Sequence, residues 1–289
     1  MKKHKIIFIY AAIVIILISV SCSSAPRNTG DVFHLRVQAE NLLDSGNKEA
    51  SKGNYENSLI IINESKRLAV LSDDPSLIIR SSLSRGNVLF SLGRLDEAFQ
   101  EWEHALTEAQ KLGNSELISA CRIFHARGAL LSGRSSAQSV LEIVEREQAN
   151  IRLNRLYIAF SWQTKGLALR SLNSPEEAEE AIMRSLEIHE RDRYLENASF
   201  DWYTIASIRS LADNISGALQ ALEASIAIDR RIENSWGLAA SWRAMGDVFR
   251  RAGREQDALE AYSRARTIYQ AMRNDYEVAQ VDRRMEINE

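Results

Sequence analysis

Three tryptophans set the period of this chain: Trp162, Trp202 and Trp242 stand forty residues apart. Small residues follow at the same spacing, as Gly86, Ala126, Gly166, Ala206 and Gly246. A second ladder runs Ser58, Ala98, Gln138, Ala178, Ala218 and Ala258. A third, mostly bulky, lies four residues later at Ile62, Trp102, Glu142, Ile182, Leu222 and Tyr262. A fixed period of this length means stacked supersecondary units, each too small to bury its own apolar face. Six units fit, near 39–78, 79–118, 119–158, 159–198, 199–238 and 239–278. Around Gln138 and Glu142 the pattern is kept better by Ala137 and Leu141, which predicts an inner loop one residue short in the third unit.

Each unit reads as two helices. In the last, Trp242, Met245, Gly246 and Phe249 fall at i, i+3, i+4 and i+7, one stripe of an α-helix. Gly253 ends that helix, with Arg250 and Arg251 in its last turn, where positive charge suits the carbonyl end. Ala258, Tyr262 and Ala265 mark the stripe of the second helix. In the fourth unit Ser174-Pro175-Glu176-Glu177 reads as a helix start, with an N-cap, proline at the first position and acid behind it. Only 3 prolines and 13 glycines occur in 289 residues, too few for the turns of an all-β protein of this size. Gly246 and Ala258 are expected where two helices approach closely, with Trp242 and Tyr262 filling the space beside them.

The run Trp242-x-x-Met245-Gly246-x-x-Phe249, then Gly253, Ala258, Tyr262 and Ala265, resembles the tetratricopeptide repeat. The resemblance extends over about residues 37–289. It implies an all-α superhelix of about six helix hairpins with a closing helix at Val278–Arg284. Two departures stand out: the family's usual period is 34, and its usual proline near the end of the second helix is missing. Forty-residue units are similar to a long-repeat subclass that includes kinesin light chain.

The first residues read as an address. Lys2, Lys3 and Lys5 precede thirteen apolar residues, Ile6–Ile18, then Ser19-Val20-Ser21-Cys22. A basic start, a short apolar run and small residues describe a secretory signal. Thirteen helical residues reach about 20 Å, short of the roughly 30 Å hydrocarbon layer. The place of Cys22 resembles a bacterial lipobox, although Ser19 stands where that motif usually has leucine. The resemblance implies cleavage after residue 21, acylation of Cys22, a flexible tether over 22–36 and a repeat array over 37–289. A lipid-anchored chain of this kind belongs in the cell envelope, on the periplasmic side or the outer membrane.

Net charge is −3 and drops further once the three signal lysines are removed. No basic excess gathers phosphates, so nucleic acid is not expected as a partner. The spacing of Cys121 and His125, i and i+4, permits a metal pair or an activated thiol, or simply a small apolar filler beside a packed histidine. No nucleophile, phosphate-loop or metal motif of the required spacing occurs, so the chain reads as a non-enzyme with no cofactor and no metal. Repeat stacks offer a concave surface instead. The tetratricopeptide resemblance places it on the first helix of each unit. Groove positions carried over in this way are Arg80, Leu83, Asn87, Arg127, Gln163, Arg170, Tyr203, Arg243 and Arg250.

The reading is a membrane-anchored interaction scaffold, holding a protein or peptide partner in the groove. Its arginines would suit an acidic or C-terminal carboxylate peptide. The alternative is a ligand- or solute-binding accessory lipoprotein of a transporter, with an apolar pocket drawn from Phe90, Ile123, Phe160 and Phe200.

Overall fold

The computed structural model describes residues 31–151 and 154–286. The signal and Cys22 lie outside the described residues. First helices are α1 (Asp31–Ser51), α3 (Pro75–Ser91), α5 (Ser115–Leu131), α7 (Arg155–Ser171), α9 (Leu195–Leu211) and α11 (Ser235–Arg251). Second helices are α2 (Tyr55–Leu71), α4 (Leu95–Leu112), α6 (Ala137–Gln148), α8 (Pro175–Arg191), α10 (Ile215–Ile232) and α12 (Glu255–Ala271). The closing helix α13 (Asp275–Glu286) buries Val281 against the stack. Residues 31–36, assigned to the tether from sequence, already form the start of α1.

Local signals enforce this spacing. Nearly every twentieth residue, from Gly53 to Arg273, has positive φ and ends a helix. Glycine holds five of these left-handed positions; Asn173 and Asp213, whose short polar side chains tolerate the conformation, hold two others. First helices and the closing helix are started by a second ladder. Asp74, Asn114, Asn154, Asn234 and Asn274 each accept a backbone N–H from the first turn through a side-chain oxygen. Helix α8 begins at Pro175 as expected, but Ser174 makes no side-chain cap bond.

Helix pairs stack through small residues facing large ones. A Cβ placed on Gly46, Gly166 or Gly246 would stand 2.5 Å from Ile62, Ile182 or Tyr262. Trp102 of α4 is held on both sides: Gly86 of α3 and Gly128 of α5 each lie against its ring, too close for a methyl group. Its indole N–H donates to the Leu83 carbonyl at 3.3 Å. The period-setting tryptophans do not fill this position. Trp162, Trp202 and Trp242 are half-buried; Arg184 covers Trp162 and Arg264 covers Trp242, each at 4.5 Å.

The third unit departs from the expected loop. Its second helix starts at Ala137, two residues late rather than one early, and its buried positions are Val140, Val144 and Glu147. Ser136 decides the start, because its hydroxyl accepts the Ser139 N–H at 3.2 Å. Helix α6 is correspondingly short, and α7 begins on schedule.

Neighbouring first helices approach one another along the stack, α1 to α3 through α9 to α11, and among the described residues no second helix approaches the next in the same way. The layer of first helices is therefore the inner, concave one. The stack curves round until its first unit touches its sixth: the Tyr55 and Trp236 rings meet edge to face at 6.3 Å.

Replacing Gly86 or Gly128 by alanine sets a helix-propensity gain of about 1 kcal/mol against an overpacking cost of about 1–3 kcal/mol. Trp102 cannot retreat from one glycine without meeting the other. Both variants are expected to melt below the parent chain by circular dichroism; an unchanged or raised midpoint would count against the clamp.

Candidate functional site

The concave face is written on four positions of each first helix, those of residues 80, 83, 87 and 90 in α3 and their forty-residue equivalents. Asn87 is exposed and Leu83 is buried in the core. Most of the polar candidates bond to the neighbouring first helix. Arg80 lies 3.8 Å from Glu40, Arg170 donates to the Ser207 hydroxyl at 3.3 Å, and Arg243 pairs with Glu277. Arg250 donates to Glu255 at 2.9 Å and to the Arg284 carbonyl at 2.5 Å, over the ring of Tyr262. Tyr203 stacks on Phe200 at 6.3 Å.

Arg127 differs from these. Its guanidinium lies 4.6 Å from the Phe160 ring centre and 5.2 Å from that of Phe200, and its buried Nε has no hydrogen-bond acceptor. Phe160 in turn stacks on Phe124 at 4.0 Å. Burial pulls the Arg127 pKa down to about 10, against the opposing charge of Asp201. Asp201 is fully buried and already occupied: one oxygen accepts from Gln163 Nε2 at 2.7 Å, and the other lies 2.7 Å from His189 Nδ1. Gln163 is thus a buried support rather than an open groove residue. Of the residues named for an apolar pocket, Phe160 and Phe200 meet at Arg127. Phe90 packs on Trp102 and Ile123 sits in the core.

Sequence reasoning missed His189 and Asp201. The signal was a register change: the buried second-helix position held by Ala69 and Ala109 becomes His189, Asp229 and Tyr269 at the same forty-residue spacing. Another buried register carries serines. Ser65 contacts Ser81 at 3.2 Å, and Ser225 contacts both Ser199 and Ser241 at 3.0 Å. The late start of α6 puts Glu147 in that register. Burial pushes its carboxyl up, but bonds from Ser119, Arg146 and Arg122 outweigh it and hold the pKa below the usual carboxylate value.

Cys121 is buried, and burial pushes its thiol up to about 12, which leaves no thiolate at neutral pH. His125 turns instead to Phe99, at 4.9 Å between rings, and to Glu103 at 3.7 Å. Among the described residues no three His, Cys, Asp or Glu side chains cluster as metal ligands, and no helix is long and apolar enough to cross a membrane.

Fold and concave layer together define an α-solenoid of helix hairpins. Within it, residues 161–192 and 198–271 match sequence models of the tetratricopeptide repeat. Among curated proteins, Protein KINESIN LIGHT CHAIN-RELATED 1 of Arabidopsis thaliana is 25% identical over 147 residues, which are 48% of this chain and 24% of that protein. The chain therefore spans about a quarter of that relative's length. Among solved structures, BtubC (BKLC) from P. vanneervenii superposes with a TM-score of 0.55 at 19% identity, covering 78% of this chain and 92% of that one. A Rap protein complexed with Competence and Sporulation Factor superposes with a TM-score of 0.59 at 14% identity, covering 86% of this chain and 74% of that one. These similarities establish the fold.

The buried register predicts a pH effect. Burial raises the Asp229 carboxyl from 3.8 to about 6, despite the bond from Asn234 and the nearby hydroxyls of Ser199 and Ser225. Between those values the folded chain holds a proton that the unfolded chain has released, so stability falls as pH rises through the window. Asp229→Asn removes this titration. Measured by denaturant melts, its stability relative to the parent is expected to improve by up to about 3 kcal/mol from pH 4 to pH 7. A pH-independent difference between the two would rule out the assignment.

Proposed function

We propose that this protein is a lipid-anchored scaffold whose concave face holds a segment of a protein partner. One observation carries the reading. Packing positions repeat from unit to unit because stacking demands it, while the concave positions do not repeat. They hold Arg80, Asn87, Arg127, Arg170, Phe200, Tyr203 and Arg243 in an order that stacking does not require. A surface whose side chains vary from unit to unit, on the enclosed side of a solenoid, is where repeat proteins place recognition. The similar Rap fold was solved with a Competence and Sporulation Factor bound, in keeping with a capture role.

Anchoring rests on the sequence of the first residues. Acylation at Cys22 would hold the array at a membrane of the cell envelope, since two acyl chains suffice for stable attachment. The forty-residue spacing of the helix pairs is in keeping with the long-repeat subclass.

Photo-crosslinking amino acids at Asn87 and Tyr203, on the concave layer, are expected to trap a protein in intact cells. The same probes at the exposed Ile60 and Met183 of second helices are expected not to. Trapping only from the second helices would overturn the groove assignment. Labelled palmitate should enter the parent chain and be lost on Cys22→Ala; incorporation that survives the change would remove the anchor.

A further inference from the structure

We infer that Arg127 is a receptor for a carboxylate carried by an extended peptide, and that the aromatic rings around it seat the apolar part of the residue bearing that carboxylate. This rests on the groove reading above and specifies its ligand.

The guanidinium carries five N–H donors in one plane and no acceptor of its own. Arg80, Arg170, Arg243 and Arg250, the other concave arginines, each have an acceptor or an ion-pair partner inside the fold. Among the described residues Arg127 has no hydrogen-bond partner, and its Nε is buried away from water as well. Leaving a donor of a charged group both desolvated and unpaired costs free energy, and a chain can avoid it simply by placing a carboxylate nearby. Here the neighbouring carboxylate, Asp201, is committed to Gln163 and His189 on both oxygens. Its charge steadies the guanidinium at short range while its lone pairs point elsewhere.

Phe160 and Phe200 complete the receptor. Rings packed on a guanidinium stabilise the cation and occupy its faces, so a ligand approaches through the N–H edge. A carboxylate fits that edge with two parallel bonds. Phe124 stacks on Phe160 and Tyr203 on Phe200, which fixes the two rings beside the guanidinium. The occupant is an extended segment because the stack encloses the face: its first unit meets its sixth at Tyr55 and Trp236.

The carboxylate has two sources, a chain terminus or an Asp or Glu side chain, and the test separates them. Probes are three mixed-sequence hexapeptide pools: free-acid peptides lacking Asp and Glu, the same sequences as C-terminal amides, and amides that contain Asp or Glu. Binding to the whole acylated chain in detergent is read by affinity selection and mass spectrometry. Peptides carrying a carboxylate are expected to be retained. Retention of the free acids assigns the terminus, and retention of the acidic amides assigns the side chain. Arg127→Lys keeps the charge but loses the fork and should weaken retained peptides roughly ten- to hundredfold. Arg67→Gln, on the outer layer, should leave them unchanged. Thermal melts of each variant separate misfolding from lost binding, and the milder Arg127→Lys guards against collapse of the aromatic centre. Equal retention of neutral amides, or peptides held equally by Arg127→Lys, would overturn the receptor while leaving the groove in place. No retention from any pool would overturn both readings.

Discussion

A missing side chain facing a large one is the contact on which the rest of this molecule depends. Gly46, Gly86, Gly166 and Gly246 let a second helix approach its partner closely, and Ile62, Trp102, Ile182 and Tyr262 use the room. A hairpin of two seventeen-residue helices has no interior of its own, so this contact fixes how each pair closes and what face it offers the next. At Trp102 the contact also joins units. The ring is gripped by glycines from two first helices, Gly86 and Gly128, and so transmits the position of the second unit to the third. Close packing of this sort has little give, which is why a curve set by many such contacts can bring residues 55 and 236 together.

The polar interior follows from the same geometry. Each unit buries one face of its second helix under the next first helix, and any polar group in that seam must find a partner there. Small hydroxyls do so at little cost, as Ser65 with Ser81 and Ser225 with Ser241. Larger groups need neighbours of matching charge. Glu147 has two arginines and a serine, while Asp201 has His189 and Gln163. Asp229 has weaker support and resists ionisation instead. These arrangements are specific to single units and break the repeat without breaking the stack.

What the sequence made legible was whatever the stack repeats. The helix pairs, the small and large ladders and the closing helix are periodic, so one chain samples each rule several times. Where a unit departs from the rule, periodicity misleads. The third unit offered Ala137 and Leu141 as the best continuation of the ladders, but a hydroxyl at Ser136 that caps a helix outweighs a slightly better apolar match, and Val140 and Val144 fill the core instead. Trp162 and Trp242 marked the period without filling the core, because Arg184 and Arg264, one helix on, give their outer faces a cover.

The site was legible as a set of positions and illegible as a set of bonds. Its register follows from the resemblance, but whether a groove arginine is free depends on which acceptor lies one unit further on, and that is a non-periodic fact. Arg243 is followed by Glu277, and Arg170 by Ser207. Arg127 faces Phe160 and Phe200, side chains that can cover a cation but cannot accept its protons. The carboxylate near it is held by His189, a residue that reads as an ordinary helix position until its register is compared with Ala69 and Ala109. The centre of the groove is therefore where the chain's own partners run out. Stacking alone would favour an acceptor there, and a ligand that supplies one is the simplest physical reason for the position to stay open.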